Sequence, residues 1–330
     1  MCSITTTSDA SSSTSEIGEF FFSSSGISPE EAVERIKVMR RQEESFLCTD
    51  YLSGCGDAIQ CGNETTSQTT VRPAIDVGCR TKMCEWCYQI ADFCKYQRES
   101  VGIGMHYLDR FLSSGSEAAN MALTNKKVYQ LAAMTAFYIA IKLFEPSQIE
   151  VKTLSELSRG CYSVEEITEM EAEFLRALSW RMHAPSSVAF VHHYLSLIPA
   201  YLAHDKVALQ LMLDVSLYQT ELAVGEYDLA SARPSVIAFA SIVNAMNILG
   251  TRHFPETERI LFGEIVSSAT EMDHLSFEFT SIKNFLGMCL SKNASEEMIH
   301  AVNQVNATQS TCVSRRSPIC VTNSYVQDRQ

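Results

Sequence analysis

Residues 128–141 read VYQLAAMTAFYIAI and carry no charged side chain. A helix on the surface of a protein keeps its charges on one face, whereas a helix that is apolar all round must lie at the centre of a bundle. Glu145-Pro146 follows closely and ends the helix, because proline cannot continue the backbone hydrogen bonds. The stretch therefore predicts a central helix with Lys142 near its end, as a lone cation after an apolar segment.

Successive helical patterns surround this stretch from about residue 79 to residue 292, with few strand signals. We predict a first set of five helices, with the other four at 83–95, 101–112, 150–158 and 164–179. Ser163-x-x-Glu166 has the form of a capping box at the start of the last one. A second set of five follows the Ala184-Pro185-Ser186 step, at 186–198, 204–222, 234–249, 256–268 and 271–290. The fold class is thus predicted to be all-α, with two tandem sets of five helices.

Polar stretches without apolar periodicity flank these sets. Residues 1–30 contain 14 Ser or Thr, and residues 48–72 are polar and contain glycine, which is typical of mobile chain. Between them, Pro29 opens a short helical pattern near 29–47. The predicted organisation is a mostly disordered region at 1–72, a first helical domain at 73–183, a second at 184–292 and a disordered tail at 293–330.

Charge and composition argue against several classes of protein. The chain has 26 Lys and Arg against 39 Asp and Glu, a net charge of -13, and no basic run longer than a pair, so direct nucleic-acid binding is not expected. The N-terminus lacks a secretory pattern, and no apolar run reaches the roughly 18 to 20 residues that a membrane span needs. We expect a soluble, intracellular protein without membrane contact, whose 12 cysteines are reduced.

Sequence motifs for catalysis or metal binding are weak in this chain. Cys84-x-x-Cys87 has the spacing of metal ligands, but no histidine or second such pair follows within the range of a zinc ribbon, so cysteines that pack in a core are the favoured interpretation. The neighbouring His192 and His193 point to two different helix faces, which suits neither a shared ligand nor a catalytic dyad. No phosphate-binding loop, nucleophile elbow or paired-carboxylate arrangement is present in the sequence. We predict no catalytic residue, metal or cofactor.

Five strings occur in order along the chain. They are Arg80-x-x-Met83-x-x-Trp86, Tyr107-Leu108-Asp109-Arg110-Phe111-Leu112, Leu131-Ala132-Ala133 with Ile139-Ala140-x-Lys142, Met170-Glu171 with Leu178-x-Trp180-Arg181, and Arg233-Pro234-Ser235-Val236-Ile237-Ala238. Together they resemble the tandem five-helix folds of the cyclin family, well over 79–249 and weakly over 250–292. The resemblance implies a non-catalytic regulatory subunit that binds and activates a cyclin-dependent protein kinase, in the nucleus and cytoplasm.

The resemblance also assigns roles to residues. It implies kinase binding by Lys142, Glu171, Leu175 and Trp180. The physics of the sequence points to the first two as well, because a lysine that ends an apolar helix is costly unless a carboxylate or carbonyls satisfy its charge. Arg80 and Asp109 match a pair that forms an internal salt bridge in cyclins, and a structural role is expected for them.

A patch that docks substrates and kinase inhibitors is implied at Met83, Trp86, Gln89, Tyr129 and Gln130. The chain departs from the family at the edge of this patch, where an aliphatic residue usually stands in place of Lys82 and a larger residue in place of Cys79. Met83 and Trp86 have the character of apolar anchors. Their helical spacing also fits ordinary core residues, so both interpretations stay open.

Phe46-Leu47-Cys48-Thr49-Asp50 differs by one conservative change at each end from the leucine-x-cysteine-x-glutamate motif of D-type cyclins. That motif binds retinoblastoma-type pocket proteins, and Phe46, Cys48 and Asp50 would supply the contacts. The string at 107–112, the Pro-Ser-Val-Ile-Ala run that begins at Pro234 and the lack of an arginine-x-x-leucine destruction box favour a D-like cyclin of the G1/S transition.

Two other functions fit the same helices. A transcription-associated cyclin, or a transcription factor of twin cyclin folds, is one alternative, although the transcription factors usually bring a zinc ribbon and a basic surface. A helical scaffold that binds no kinase is the other. The scaffold gives no reason for Lys142 and Glu171 to face each other.

Overall fold

The structure is a computed structural model that describes residues 28–52, 74–147, 149–198 and 205–308. Within these residues the chain forms thirteen α-helices and no strand. They are α1 Pro29–Glu43, α2 Val77–Cys94, α3 Arg98–Leu112, α4 Glu117–Thr124, α5 Lys126–Phe144, α6 Val151–Leu157, α7 Val164–Ala177, α8 Ser187–Leu195, α9 Lys206–Gly225, α10 Pro234–His253, α11 Glu256–Thr270, α12 Phe277–Asn293 and α13 Glu296–Thr308. The predicted all-α fold class is confirmed.

The first helical set, α2 to α7, packs around α5. Every residue of α5 from Leu131 to Ile141 is buried, as the uncharged sequence predicts. The neighbouring α3 approaches α5 closely at Gly104, where an added Cβ would lie 2.9 Å from the Cα of Phe137. On another side, the rings of Phe111 and Phe174 stack with centroids 4.1 Å apart. A single hydrophobic core therefore fixes the position of α5 and of the residues at its end.

The second set, α8 to α12, packs around α10. The ring of Phe239 on this helix contacts Phe262 and Phe279 from α11 and α12. By length and composition α10 could cross a membrane, which corrects the expectation that no stretch is long enough. Within the structure, 61% of its most apolar window is buried. The apolar character of α10 is thus accounted for by its position in a core.

Helix ends follow the local chemistry that the sequence indicates. The predicted capping box is present at the start of α7, where Ser163 and Glu166 satisfy each other's backbone N–H groups. The central helix ends at Phe144, directly before Glu145-Pro146. A helix is present at each of the ten predicted positions, although α9 and α10 end three and four residues beyond their predicted ends, α2 begins six residues earlier and α12 six residues later.

Two helices were not predicted from the sequence. The short helix α4 is capped by Ser116 and buries only the small side chains of Ala119 and Ala122, which give a weak periodic signal. The helix α13 lies where a disordered tail was predicted, so that prediction is wrong for residues 296–308. Its apolar side chains pack on the second core, with Val305 buried and Met298, Ala301 and Val302 partly buried.

The N-terminal prediction needs a similar correction. Helix α1 and a 3₁₀ turn, Glu44–Phe46, lie within the expected 29–47, and α1 buries Ile36 in the second core. The expectation of mobile chain from residue 48 is wrong for residues 48–52, which pack against both helical sets through long-range contacts. The rest of the polar N-terminal stretch and residues 309–330 lie outside the described residues.

Candidate protein-binding site

Lys142 and Glu171 face each other across the first helical set. The Lys142 Nζ on the last turn of α5 donates to the Glu171 Oε1 on α7 at 2.5 Å. The Lys142 side chain is 36% exposed and that of Glu171 16% exposed. The Lys142 ammonium also lies 5.2 Å from the centre of the Tyr138 ring. The charge that the sequence leaves at the end of an apolar helix is therefore satisfied at the surface and remains accessible.

Exposed apolar side chains lie on the elements that carry this ion pair. Leu143 and Phe144 follow Lys142 directly at the end of α5 and are both exposed. Trp180, just after α7, is 72% exposed, while Leu175 on α7 is half-buried. Surface apolar groups next to a partly buried ion pair are typical of protein-binding surfaces. The sequence does not single out Leu143 and Phe144, because the charged Lys142 separates them from the uncharged stretch that ends at residue 141.

The exposure of Trp180 is set by its backbone. Ser179 and Trp180 have φ angles of 51° and 61°, the left-handed region that non-glycine residues rarely adopt. This turn brings the Trp180 N–H to the carbonyl oxygen of Leu175 at 3.0 Å and ends α7. The large indole ring is thus held at the surface by a locally unfavourable conformation, which is a feature that clusters at functional sites.

The predicted salt bridge between Arg80 and Asp109 is present inside the first set. Arg80 Nε and Nη2 donate to Asp109 Oδ1 and Oδ2 at 2.9 and 2.8 Å. The two side chains are only 3% and 4% exposed. Burial alone would lower the pKa of Arg80, but the Asp109 carboxylate more than offsets it and the pKa is raised. Arg80 is therefore charged, and its bidentate contact with Asp109 ties α2 to α3.

The predicted docking patch is only partly at the surface. Gln89 and Gln130 are exposed, and Trp86 is half-buried. Met83 and Tyr129, in contrast, are buried in the first core, so the alternative interpretation of Met83 as a core residue holds. The reason is that α2 and α5 pack together along the faces that carry these two side chains. Whether a peptide binds here stays a prediction.

The Phe46-Leu47-Cys48-Thr49-Asp50 segment is folded against the protein. Phe46 and Cys48 are buried, while Asp50 Oδ1 accepts a hydrogen bond from the Tyr227 hydroxyl at 2.7 Å. The pKa of the Cys48 thiol is raised, mainly because the thiol is buried and to a smaller extent because Asp109 lies nearby. The thiol is therefore neutral. Two of the three predicted contact residues are covered in this conformation.

Cys84, Cys87 and His192, which the sequence brings up as candidates for metal binding or catalysis, fit packing roles. Cys84 and Cys87 are buried in the first core, and burial raises the pKa of Cys84 to about 12. No group of three or more side chains suited to hold a metal ion occurs among the described residues. The pKa of His192 is lowered by burial and by the adjacent His193.

Residues 58–183 match the family model of the cyclin N-terminal domain. Cyclin-A1-4 of Oryza sativa subsp. japonica is 28% identical over 193 residues, which cover 58% of this chain and 51% of that protein. Cyclin-B2-1 of the same organism is 26% identical over 217 residues, covering 65% of this chain and 44% of that protein. The aligned regions thus span about half the length of these relatives or less.

A solved structure has the same architecture. A viral cyclin from herpesvirus saimiri superposes with a TM-score of 0.50 at 18% identity and covers 66% of this chain and 86% of its own. At this identity the likeness concerns the fold alone. By its two-set helical fold this is an all-α protein, and its residues 58–183 are similar to the cyclin N-terminal domain.

Proposed function

We propose that this protein is a non-catalytic regulatory subunit that binds and activates a cyclin-dependent protein kinase. The observation that carries the proposal is the ion pair of Lys142 and Glu171, which is accessible and lies on the same elements as exposed Leu143, Phe144 and Trp180. Burial of such apolar groups supplies affinity for a partner, while the two charges fix its orientation and specificity. In the cyclin family the matching lysine and glutamate bind the mobile helix of the kinase, whose position sets the active-site ion pair.

Co-purification with candidate cyclin-dependent kinases tests this proposal, followed by an assay of histone or pocket-protein phosphorylation. We expect wild type to raise the kinase rate and both Lys142→Ala and Glu171→Ala to lower it at least tenfold, since each variant removes a partly desolvated charge at the contact. Lys152→Ala is the matched control, because Lys152 is an exposed lysine on the neighbouring α6. Folded alanine variants that activate as well as wild type would exclude this surface.

The G1/S assignment is a finer proposal. It is supported by sequence strings alone, namely the Phe46–Asp50 motif, the string at 107–112 and the Pro-Ser-Val-Ile-Ala run that begins at Pro234. The curated relatives carry A- and B-type names, so they lend it no support. A D-like cyclin should phosphorylate a retinoblastoma-type pocket protein with its kinase and lose this preference over histone when Cys48 is replaced by Ala.

Substrate docking, inhibitor binding and location in the nucleus and cytoplasm are proposed with the kinase partner. Docking is supported by the half-buried Trp86 next to exposed Gln89. An arginine-x-leucine peptide should bind wild type and bind the Trp86→Ala variant at least tenfold more weakly. Unchanged binding would exclude the patch. Imaging of the tagged chain in dividing cells tests the location.

A further inference from the structure

Residues 46–52, called the strap here, begin with the last residue of the 3₁₀ turn after α1 and contact both helical sets. Residues 47–52 have no regular secondary structure. At its first residue the Phe46 ring lies between the guanidinium groups of Arg110 and Arg181, at 4.7 and 4.8 Å from the ring centre. The Phe46 carbonyl oxygen accepts a hydrogen bond from His106 Nε2 at 2.9 Å. These contacts hold the start of the strap on the first set.

The end of the strap is tied to a residue far along the chain. The Tyr227 hydroxyl accepts the N–H groups of Tyr51 and Leu52 at 3.1 and 3.0 Å and donates to Asp50 Oδ1 at 2.7 Å. The Tyr51 hydroxyl donates to Asp109 Oδ1 at 2.7 Å, so the strap also contacts the buried salt bridge of the first set. One phenol group from the second set thus completes three hydrogen bonds of the strap.

Between these two anchors lies Cys48. Its side chain is only 7% exposed, whereas its neighbour Thr49 is exposed and uses its carbonyl oxygen to accept from the Ser113 hydroxyl. A small void next to Cys48 is lined by Pro185 from the linker and by Ala230 and Pro234 from the second set. The strap therefore covers the junction of the two sets, with Phe46 and Cys48 facing inward.

We propose that the strap is a closed latch that opens as a unit while both helical sets stay folded, and that it controls access to Phe46 and Cys48. The contacts that hold it are a few hydrogen bonds, one aromatic clamp and the packing of four side chains, Phe46, Cys48, Tyr51 and Leu52, which is little compared with either helical set. Segments held in this way open locally more often than the protein unfolds. A partner that contacts Phe46 and Cys48 binds only the open form. Its apparent affinity is therefore lower than its affinity for the open form, in proportion to the fraction of protein that is open.

The rate at which iodoacetamide modifies Cys48 measures this opening. Mass spectrometry of the digested protein compares Cys48 with the exposed Cys161 and with Cys87 in the core. We expect Cys48 to react far more slowly than Cys161 in wild type. Tyr227→Phe should raise the Cys48 rate about three- to tenfold, since it weakens the hydrogen bonds at the end of the strap. Thr49→Ala is the matched control and should leave the rate unchanged.

Three results would overturn the latch. The first is that iodoacetamide modifies Cys48 as fast as Cys161 in wild type, and the second is that Tyr227→Phe leaves the Cys48 rate unchanged. The third is that Tyr227→Phe accelerates modification of Cys87 as much as that of Cys48, which would mean that the whole fold is loosened. The choice of partner rests on the proposed function and has its own readout, binding to an isolated retinoblastoma-type pocket domain. Tyr227→Phe should bind it more tightly than wild type by the factor seen for Cys48. Equal binding by both proteins would contradict the gating, and binding by neither would exclude the pocket domain as the partner. Kinase activation is measured separately, so its failure leaves the Cys48 result intact.

Discussion

Arg80 Nη1 donates to the backbone carbonyl oxygen of Val224 at 2.7 Å. The same guanidinium pairs with Asp109 inside the first set, so one buried cation joins the two helices of its own set to α9 of the second. The buried salt bridge of Arg80 and Asp109 is thus also an attachment between the two sets.

The Asp109→Ala variant should lower the free energy of unfolding by about 3–5 kcal/mol, because it leaves the Arg80 charge buried without its carboxylate. Urea denaturation followed by circular dichroism measures the loss. Glu173→Ala provides the control, since it removes a surface salt bridge to Arg176. The side chain of Arg176 is 64% exposed and that of Glu173 38% exposed. That change should cost less than about 1 kcal/mol. Similar losses for the two variants would contradict a structural role for the buried pair.

Gly104→Ala should destabilise the first set by about 1–3 kcal/mol, because the new methyl group would force α3 away from Phe137 on α5. Gly225→Ala, at the end of α9, is matched to it, since an added Cβ there meets nothing within 4 Å. Thermal unfolding of both variants tests the contact. A melting temperature for Gly104→Ala at or above that of Gly225→Ala would show that α3 and α5 are not packed in this way.

His106 should make stability depend on pH. Burial, followed by the nearby Arg110, lowers its pKa to about 4, although Asp109 and the Phe46 carbonyl oxygen act in the opposite direction. The unfolded chain binds a proton near the ordinary histidine pKa of about 6.5, so it takes up more protons than the folded chain between these two values. Stability is therefore full above about pH 6.5 and falls as the pH decreases towards 4, by about 1–3 kcal/mol from this group.

Urea midpoints at pH 7.5 and pH 5.0 measure that dependence. His106→Gln can still donate to the Phe46 carbonyl oxygen but does not titrate, so its midpoint should change less than that of wild type between the two pH values. An identical change in the two proteins would mean that His106 is free to take up a proton in the folded state.

How far the sequence predicts the fold depends on the kind of signal each element carries. The uncharged stretch of α5 can only be a core helix, and the Ser163 capping box marks the start of α7 with a local hydrogen-bond pattern. Helix α4 escapes prediction because alanines fill its buried face. Helix α13 was not predicted because its few apolar side chains lie in a polar stretch of sequence and pack on a core formed by distant helices.

The candidate site also contains features with a local sequence signal and features that depend on distant contacts. The facing of Lys142 and Glu171 follows from a charge that needs a partner, and the sequence contains both residues in helices that were predicted correctly. The strap could not be predicted, because its order depends on Tyr227, which lies 176 residues beyond Tyr51. A hydrogen bond across that separation leaves no local pattern in the sequence.

Charge exchange at Lys142 and Glu171 tests the central claim most directly. The two positions form an ion pair with each other, so Lys142→Glu combined with Glu171→Lys should restore the stability that either single reversal loses, a cost of about 1 kcal/mol for such a partly exposed pair. The measurement is the dissociation constant of the double variant for a cyclin-dependent kinase that binds wild type. If the pair contacts the kinase, the double variant is as stable as wild type but binds at least tenfold more weakly. Binding restored together with stability would show that the pair serves the fold alone.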